Sequence, residues 1–340
     1  MGVRPNDRHY FAEGITNRGY ISLLPHMMTE WDKVYVLMGG PGTGKSTLIK
    51  MIGLDIVDRG YEVDFMRSAW DPDSIAGILM RKLNWAILDN YEIAPSRWRA
   101  PGLMEEMIDF ASFCNKEKLE EKREEIYKIT GKIEKGQRQI SEILASDFNE
   151  RLREKPSSSY TKEEKPWLPK LHATDLFKNK KDSWSKAKDA LKKIQKSIIR
   201  SYFLHGLGSE GWVNLAPSFL QECDQIRIEG EEAHEAMEWI LQEAESLGQV
   251  IDIVLHPIYP DETLGIILPE RNLVIWQGNP TCLEEQGLDK VYSTSLKEAL
   301  YQTKAAREHL KALYTETVDF DKVDSLRADL LNCILRNLDK

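Results

Sequence analysis

Apolar and polar residues alternate along the chain on two different periods. Short runs rich in β-branched and aromatic residues, Val34-Tyr35-Val36-Leu37, Tyr61 to Arg67 and Trp85-Ala86-Ile87-Leu88, have the length and flanking turns of strands. His9 to Ile15 predicts a leading strand, and Thr47 to Arg59 predicts a helix that ends at Gly60. Strand and helix in alternation predict an α/β fold with a parallel sheet covered on both faces, and a ligand site at the carboxyl ends of its strands.

A helical period takes over from Lys116 to Ser146. Leu119, Ile126, Ile133 and Ile140 recur every seven residues, with Ile129 and Ile143 at the complementary positions, which is a coiled-coil seam. Ser183 to Ser201 carries Ala187, Leu191, Ile194 and Ile198 at helical spacing, and the proline- and serine-rich KPSSSYTKEEKPWLPKL between them reads as a turn or loop. A long helical hairpin over 116–199 is therefore expected, projecting from the first domain or packing between two. Its seam is satisfied within the chain or by a second copy, so an oligomer stays open.

The chain also repeats itself. Arg8 to Met38 aligns without a gap on Arg200 to Gly230, with Arg8/Arg200, Tyr10/Tyr202, Phe11/Phe203, Gly14/Gly206, Gly19/Gly211, Leu23/Leu215, Pro25/Pro217, Glu30/Glu222 and Asp32/Asp224 identical. The likeness resumes where Pro72-Asp73, Gly77-Ile78, Asn84 and Ile87 match Pro260-Asp261, Gly265-Ile266, Asn272 and Ile275. The expected organisation is a P-loop nucleotide-binding domain over 1–115, the hairpin with a basic linker over 116–199, and a degenerate P-loop-like repeat with C-terminal helices over 200–340.

The chemistry sits in the first copy. Gly39-Gly40-Pro41-Gly42-Thr43-Gly44-Lys45-Ser46-Thr47 fits the phosphate-binding pattern G-x-x-x-x-G-K-[ST], behind an apolar strand and before a helix. Glycines let successive backbone N–H groups wrap an anion, and the helix that follows points its positive end at it. Lys45 would reach the β- and γ-phosphates, and Ser46 would ligate Mg²⁺. Asp89, at the tip of the third strand, is the expected second metal residue, with Asp64 as its competitor. Arg97 and Arg99 are candidates for sensing phosphate, and Glu92, Asp71 or Asp73 for orienting water. Asp73 has a counterpart in Asp261, which favours a turn or cap for it.

The second copy has Gly230-Glu231-Glu232-Ala233-His234-Glu235-Ala236 in place of the loop and Gln277 in place of Asp89. Its carboxylates would repel a triphosphate. Asn179-Lys180-Lys181-Asp182 matches a guanine-reading string but does not follow an apolar strand, so ATP is expected rather than GTP.

Charge changes the picture in one place. The chain carries a net charge of −9 over 340 residues, unlike a general nucleic-acid coat. Residues 151–200, however, hold 15 Lys and Arg against 6 Asp and Glu, with Trp167, Phe177 and Trp184 interleaved. That stretch is either a solvated face or a surface for nucleic acid or an acidic protein partner. No apolar run reaches the roughly eighteen residues of a membrane span, and the first residues lack a signal-peptide core, so a cytoplasmic protein with no membrane contact is expected. Cys114, Cys223, Cys282 and Cys333 lie far apart without a C-x-x-C pair, which argues against disulfides and zinc.

The tandem arrangement, GGPGTGKST, the DPDS and AILD segments, and the ending Tyr314-x-x-x-Val318-Asp319-Phe320-Asp321-Lys322-Val323-Asp324 resemble an uncharacterised family of bacterial two-repeat P-loop ATPases. The resemblance implies the fold and ATP binding. It also implies a phosphate loop in both repeats, from which this sequence departs in its second half. The expectation is a slow, Mg²⁺-dependent ATPase acting as a conformational switch. The alternatives are a small-molecule or nucleotide kinase, and a non-catalytic interaction protein with nucleotide as a structural ligand.

Overall fold

The structure is a computed structural model that describes residues 7–28, 31–89, 100–154, 198–220, 223–228, 233–246, 250–279, 288 and 291–339. Strand β1 (Asp7–Phe11) leads into the hairpin β2 (Glu13–Thr16) and β3 (Gly19–Ser22) and the short α1 (Leu24–Met27). Then come β4 (Lys33–Met38), α2 (Lys45–Val57), β5 (Val63–Arg67), β6 (Ile75–Met80), β7 (Trp85–Asp89) and β8 (Glu105–Asp109). Helices α3 (Lys116–Glu121) and α4 (Arg123–Glu154) follow. The second half has β9 (Ile198–Tyr202), β10 (His205–Gly208), β11 (Gly211–Asn214), α5 (Ala216–Leu220), β12 (Asp224–Ile228), α6 (Ala233–Ser246), β13 (Val250–Leu255), β14 (Thr263–Leu268) and β15 (Leu273–Gln277). Two long helices, α7 (Thr294–Thr315) and α8 (Phe320–Leu338), come last.

The fold is mixed α/β with two main sheets, ordered β1-β5-β6-β7-β4-β8 and β9-β13-β14-β15-β12. The second order is that of the first without a counterpart of β8 among the described residues. The sheets are not purely parallel as expected. β6 runs antiparallel to β5 and β7, and β14 runs antiparallel to β13 and β15, while the remaining pairs are parallel. The reason is a tight reversal at Asp71–Ser74, where the Ser74 N–H donates to Asp71 O at 2.8 Å, leaving no room for a crossover helix.

Small irregularities recur in both halves. A register shift at Met66/Arg67 is matched at Val254/Leu255, and Asn84 and Asn272 both take left-handed φ values, 56° and 51°. Lys33 stands opposite Trp85 and Asp224 opposite Leu273. With Trp85 equivalent to Leu273, Asp224 corresponds to Lys33 rather than to Asp32, so the gapless alignment slips by one residue at this strand. One residue decides which side chains face the core.

Strand periodicity explains the layering. In β4 and β7, Val34, Val36, Ala86 and Leu88 point into one core, and Tyr35, Leu37 and Ile87 into another. The first core also contains Tyr202, Val254, Val274 and Trp276, so one face of each sheet is covered by the other sheet rather than by helices. The opposite face of the first sheet packs on Leu48, Ile49, Ile52 and Ile56 of α2 and Val323, Leu330, Ile334 and Leu338 of α8. Met237, Ile240 and Ala244 of α6 cover the second sheet. The halves also meet reciprocally. Phe11 N–H donates to Phe203 O and Phe203 N–H to Phe11 O, both at 2.9 Å, and a Cβ at Gly14 or Gly206 would strike the Phe203 or Phe11 ring.

Much of the coiled-coil seam is satisfied within the chain, by α7. Ile129 and Ile133 of α4 pack on Leu310 and Leu313 of α7, and Ile140 and Leu144 join a core with Leu296, Ala299 and Leu300. Residues 155–197, which include most of the expected second arm and the basic stretch, lie outside the described residues, and Ile198 to Ser201 is strand, not helix. The C-terminal helices, expected to belong to the second repeat, pack on α4 and α2. Among the described residues, no helix is long and apolar enough to cross a membrane.

His9 is a titratable group in β1, at the edge of the first sheet. His9 stacks on Phe65 at a centroid distance of 4.9 Å and accepts from Arg67 Nε at 3.2 Å through Nδ1. Burial first, then the Arg67 and Lys50 charges, lower its pKa from 6.5 to about 4, outweighing Asp7 at 3.9 Å. The unfolded chain therefore binds this proton first as pH falls, and stability drops between 6.5 and about 4. The full drop is about 3 kcal/mol. Urea midpoints should fall from pH 7.5 to pH 5 in the wild type and less steeply in His9→Gln; parallel curves would overturn the assignment.

Candidate functional site

The glycine-rich segment forms the turn between β4 and α2. Gly44 caps α2 in a left-handed conformation at φ 93°, and Lys45 is the first helical residue. Gly42 is also left-handed, at φ 78°, and a Cβ there would run into the Lys311 carbonyl. Lys45 is 3% exposed and folds back over its own loop. Its Nζ donates to Gly39 O at 3.0 Å, Gly40 O at 2.6 Å and Thr43 Oγ1 at 3.2 Å. Burial lowers its pKa, only partly countered by Asp89, whose Oδ1 lies 3.7 Å away.

Asp89 reaches that position because β7 runs parallel to β4 with Asp89 opposite Leu37, at the carboxyl ends of both strands. Ser46 Oγ accepts from the Ile75 N–H at 3.1 Å, which uses one lone pair and fixes the hydroxyl's place beside the loop. Lys45, Ser46 and Asp89 are thus brought together as the sequence predicts. Asp64 is not part of this site: its carboxylate takes Arg81 Nε at 2.9 Å and Nη2 at 3.0 Å, a buried structural pair. Asp73 is exposed in the Asp71–Ser74 turn. Arg97, Arg99 and Glu92 lie outside the described residues.

Over the loop lies an element that local sequence did not place there. Thr315 Oγ1 of α7 donates to Gly42 O at 3.0 Å, the Tyr314 ring covers Gly40, and a Cβ at Gly44 would just meet Phe320 and Val323. The turn between α7 and α8 is pinned from below, with Asn115 N–H donating to Thr317 O at 2.8 Å and Asp319 N–H to Phe113 O at 2.9 Å. Between loop and roof is a cavity of about 420 Å³, lined by Lys45, Ser46, Asp71, Asp89, Arg307 and Lys311 among others. That size suits a small-molecule ligand.

Asp71 faces this cavity with its Oδ2 accepting from Ser74 Oγ at 2.7 Å and from Lys311 Nζ at 2.6 Å. Burial raises the Asp71 pKa, but the Lys311 and Ser74 hydrogen bonds and the Lys311 and Lys304 charges prevail, so it lies below its ordinary value. Arg307 sits 5.8 Å from the centroid of the Trp70 ring. Spacings of three and four place Lys304, Arg307 and Lys311 on one helical face. This pattern is visible in the sequence, but without the fold it reads as a solvated face. Comparison with family models, curated proteins and solved structures gives no match to this chain.

Proposed function

We propose that the protein is a Mg²⁺-dependent ATP-binding P-loop NTPase, with slow hydrolysis, whose nucleotide state is read by the C-terminal helices. The observation that carries this reading is the buried Lys45 ammonium, folded over the Gly39 and Gly40 carbonyls 3.7 Å from Asp89 at the mouth of a cavity. A cation held by neutral carbonyl oxygens is poised to exchange them for an anion, and charged acceptors bind an ammonium more strongly.

The residues present fit the nucleotide. The Gly39–Thr47 backbone and Lys45 would hold its phosphates, and the Ser46 hydroxyl and Asp89 carboxylate would hold a Mg²⁺ ion through direct or water contacts. One or two such oxygens plus phosphates are what Mg²⁺ commonly takes from a protein. When bound, ATP supplies the transferable phosphoryl group and Mg²⁺ offsets its charge. The chain's own contribution is to orient the phosphates and to keep Lys45 in a site that largely excludes water.

The repeated sheet order supports a duplicated nucleotide-binding unit whose second copy has lost its loop, in line with the resemblance to two-repeat ATPases. The roof of α7 over the loop favours a switch over a kinase. Titrating the purified chain with ATP in the presence and absence of Mg²⁺ by calorimetry, with phosphate release followed in parallel, tests the reading. Mg²⁺-dependent binding with slow release is expected. Absence of binding overturns the proposal, and binding without release leaves a nucleotide-dependent interaction module.

A further inference from the structure

We propose that Lys311 on α7 is a phosphate-binding residue of the nucleotide site, parked on Asp71 until a triphosphate draws it away, so that α7 reads the terminal phosphate. This rests on the ATP-binding reading above.

Lys311 touches the glycine-rich loop and lines the cavity at once. Its backbone carbonyl lies against Gly42 at the tip of the phosphate loop, while its Nζ, 2.6 Å from Asp71 Oδ2, lines the same cavity as Lys45, Ser46 and Asp89. The pair is open to water on one side, with side chains 37% and 21% exposed. Such a pair is cheap to break, because water and salt already weaken it. A terminal phosphate offers more negative charge and more acceptor oxygens than a carboxylate, and a lysine head on a four-carbon stem can swing between them. Asp71 alone would repel an incoming triphosphate. Pairing with Lys311 masks that charge in the closed state, and Arg307 and Lys304 on the same helical face add positive potential beside it.

The exchange would have a mechanical consequence. Lys311 is flanked by Leu310 and Leu313, which α7 buries against Ile129 and Ile133 of α4. Displacement of the α7 backbone at Lys311 would therefore act on α4.

The test is calorimetric titration of the full chain with Mg²⁺-ATP and Mg²⁺-ADP in wild type, Lys311→Ala, Lys311→Arg and Asp71→Asn. Lys311→Ala should weaken ATP by about tenfold or more, with ADP changed by less than about threefold. Lys311→Arg should restore most of the loss. Asp71→Asn breaks the same ion pair from the other side, and should leave ATP binding undiminished. If Lys311→Ala and Asp71→Asn weaken ATP alike, the ion pair matters only for structure and the inference fails. An unchanged ATP/ADP ratio in Lys311→Ala overturns it as well. Wild-type chain that binds no ATP overturns the nucleotide reading and this inference together, whereas wild-type binding untouched by Lys311→Ala overturns this inference alone.

Discussion

Replacing Lys45 by alanine will cut affinity for Mg²⁺-ATP by about a hundredfold or more, with only a small change in thermal midpoint. The two halves of that expectation have different origins. For binding, the ammonium makes three hydrogen bonds, to Gly39 O, Gly40 O and Thr43 Oγ1, and all three would be redirected to phosphate oxygens. Each hydrogen bond to a charged group is worth about 1.5–3 kcal/mol, so two such bonds already exceed a hundredfold. For stability, the wild-type chain bears the cost of holding a cation at 3% exposure, which is why burial lowers its pKa. Alanine removes that cost along with the bonds, and Asp89, with its side chain 23% exposed, keeps access to water once the ammonium is gone, so the effects largely offset. Calorimetry of wild type and variant, with thermal unfolding of each, checks both halves. A variant that binds ATP within threefold of wild type would show that the loop is only a structural turn.

The largest stability effect should come from Arg200→Ala. Asp252 has a side chain 3% exposed, and its Oδ1 takes Arg200 Nε at 2.6 Å while Oδ2 accepts from Tyr202 OH at 3.3 Å. Removing the guanidinium leaves a carboxylate buried without its counter-charge, a change that costs about 3–5 kcal/mol. Asp252→Asn in the Arg200→Ala background should recover part of this, because the charge is then gone. Urea unfolding of wild type, single and double variants distinguishes the outcomes. A single variant within about 1 kcal/mol of wild type would mean that water reaches Asp252. Arg81 and Asp64 make the corresponding pair in the first half, although the arginine comes from a different place in the chain. Asp64 and Asp252 are equivalent positions, but Arg81 follows β6 whereas Arg200 stands in β9. The equivalent of Arg200, Arg8, lies instead over the Phe219 ring at 5.4 Å.

That exchange of partners marks where legibility from sequence stops. The aspartates could be read as repeated, and Asp64 could even be taken for a metal ligand, but nothing local showed which guanidinium would neutralise it. The same holds for α4. Its heptad seam established a helix with one apolar stripe and the residues on it. Apolar contact has no direction, so the stripe alone could not say whether 183–201, a second copy or α7 would cover it. The strands tell a similar story. Their unbroken apolar runs required burial on both faces, and only the packed structure put a second sheet, rather than helices, on one of them. The antiparallel β6 is not legible locally, because nothing in Asp71–Ser74 itself distinguishes a tight reversal from a loop between distant elements.

By itself the sequence determined what depends on neighbours in the chain: the strand, glycine turn and helix opening that hold Lys45 and Ser46, the apolar strand that ends in Asp89, and the apolar stripe of α4. Only the tertiary structure decided what lies above the loop. Gly40 and Gly42 illustrate both. The proposed phosphate binding would account for glycine in this turn, yet the packing makes its own requirement, since a side chain at Gly40 would strike the Tyr314 ring and one at Gly42 the Lys311 carbonyl. Residues some 270 positions apart share that space because α8 buries its apolar stripe on α2, and α7 is carried with it across the site. No period or motif in either segment could have shown that.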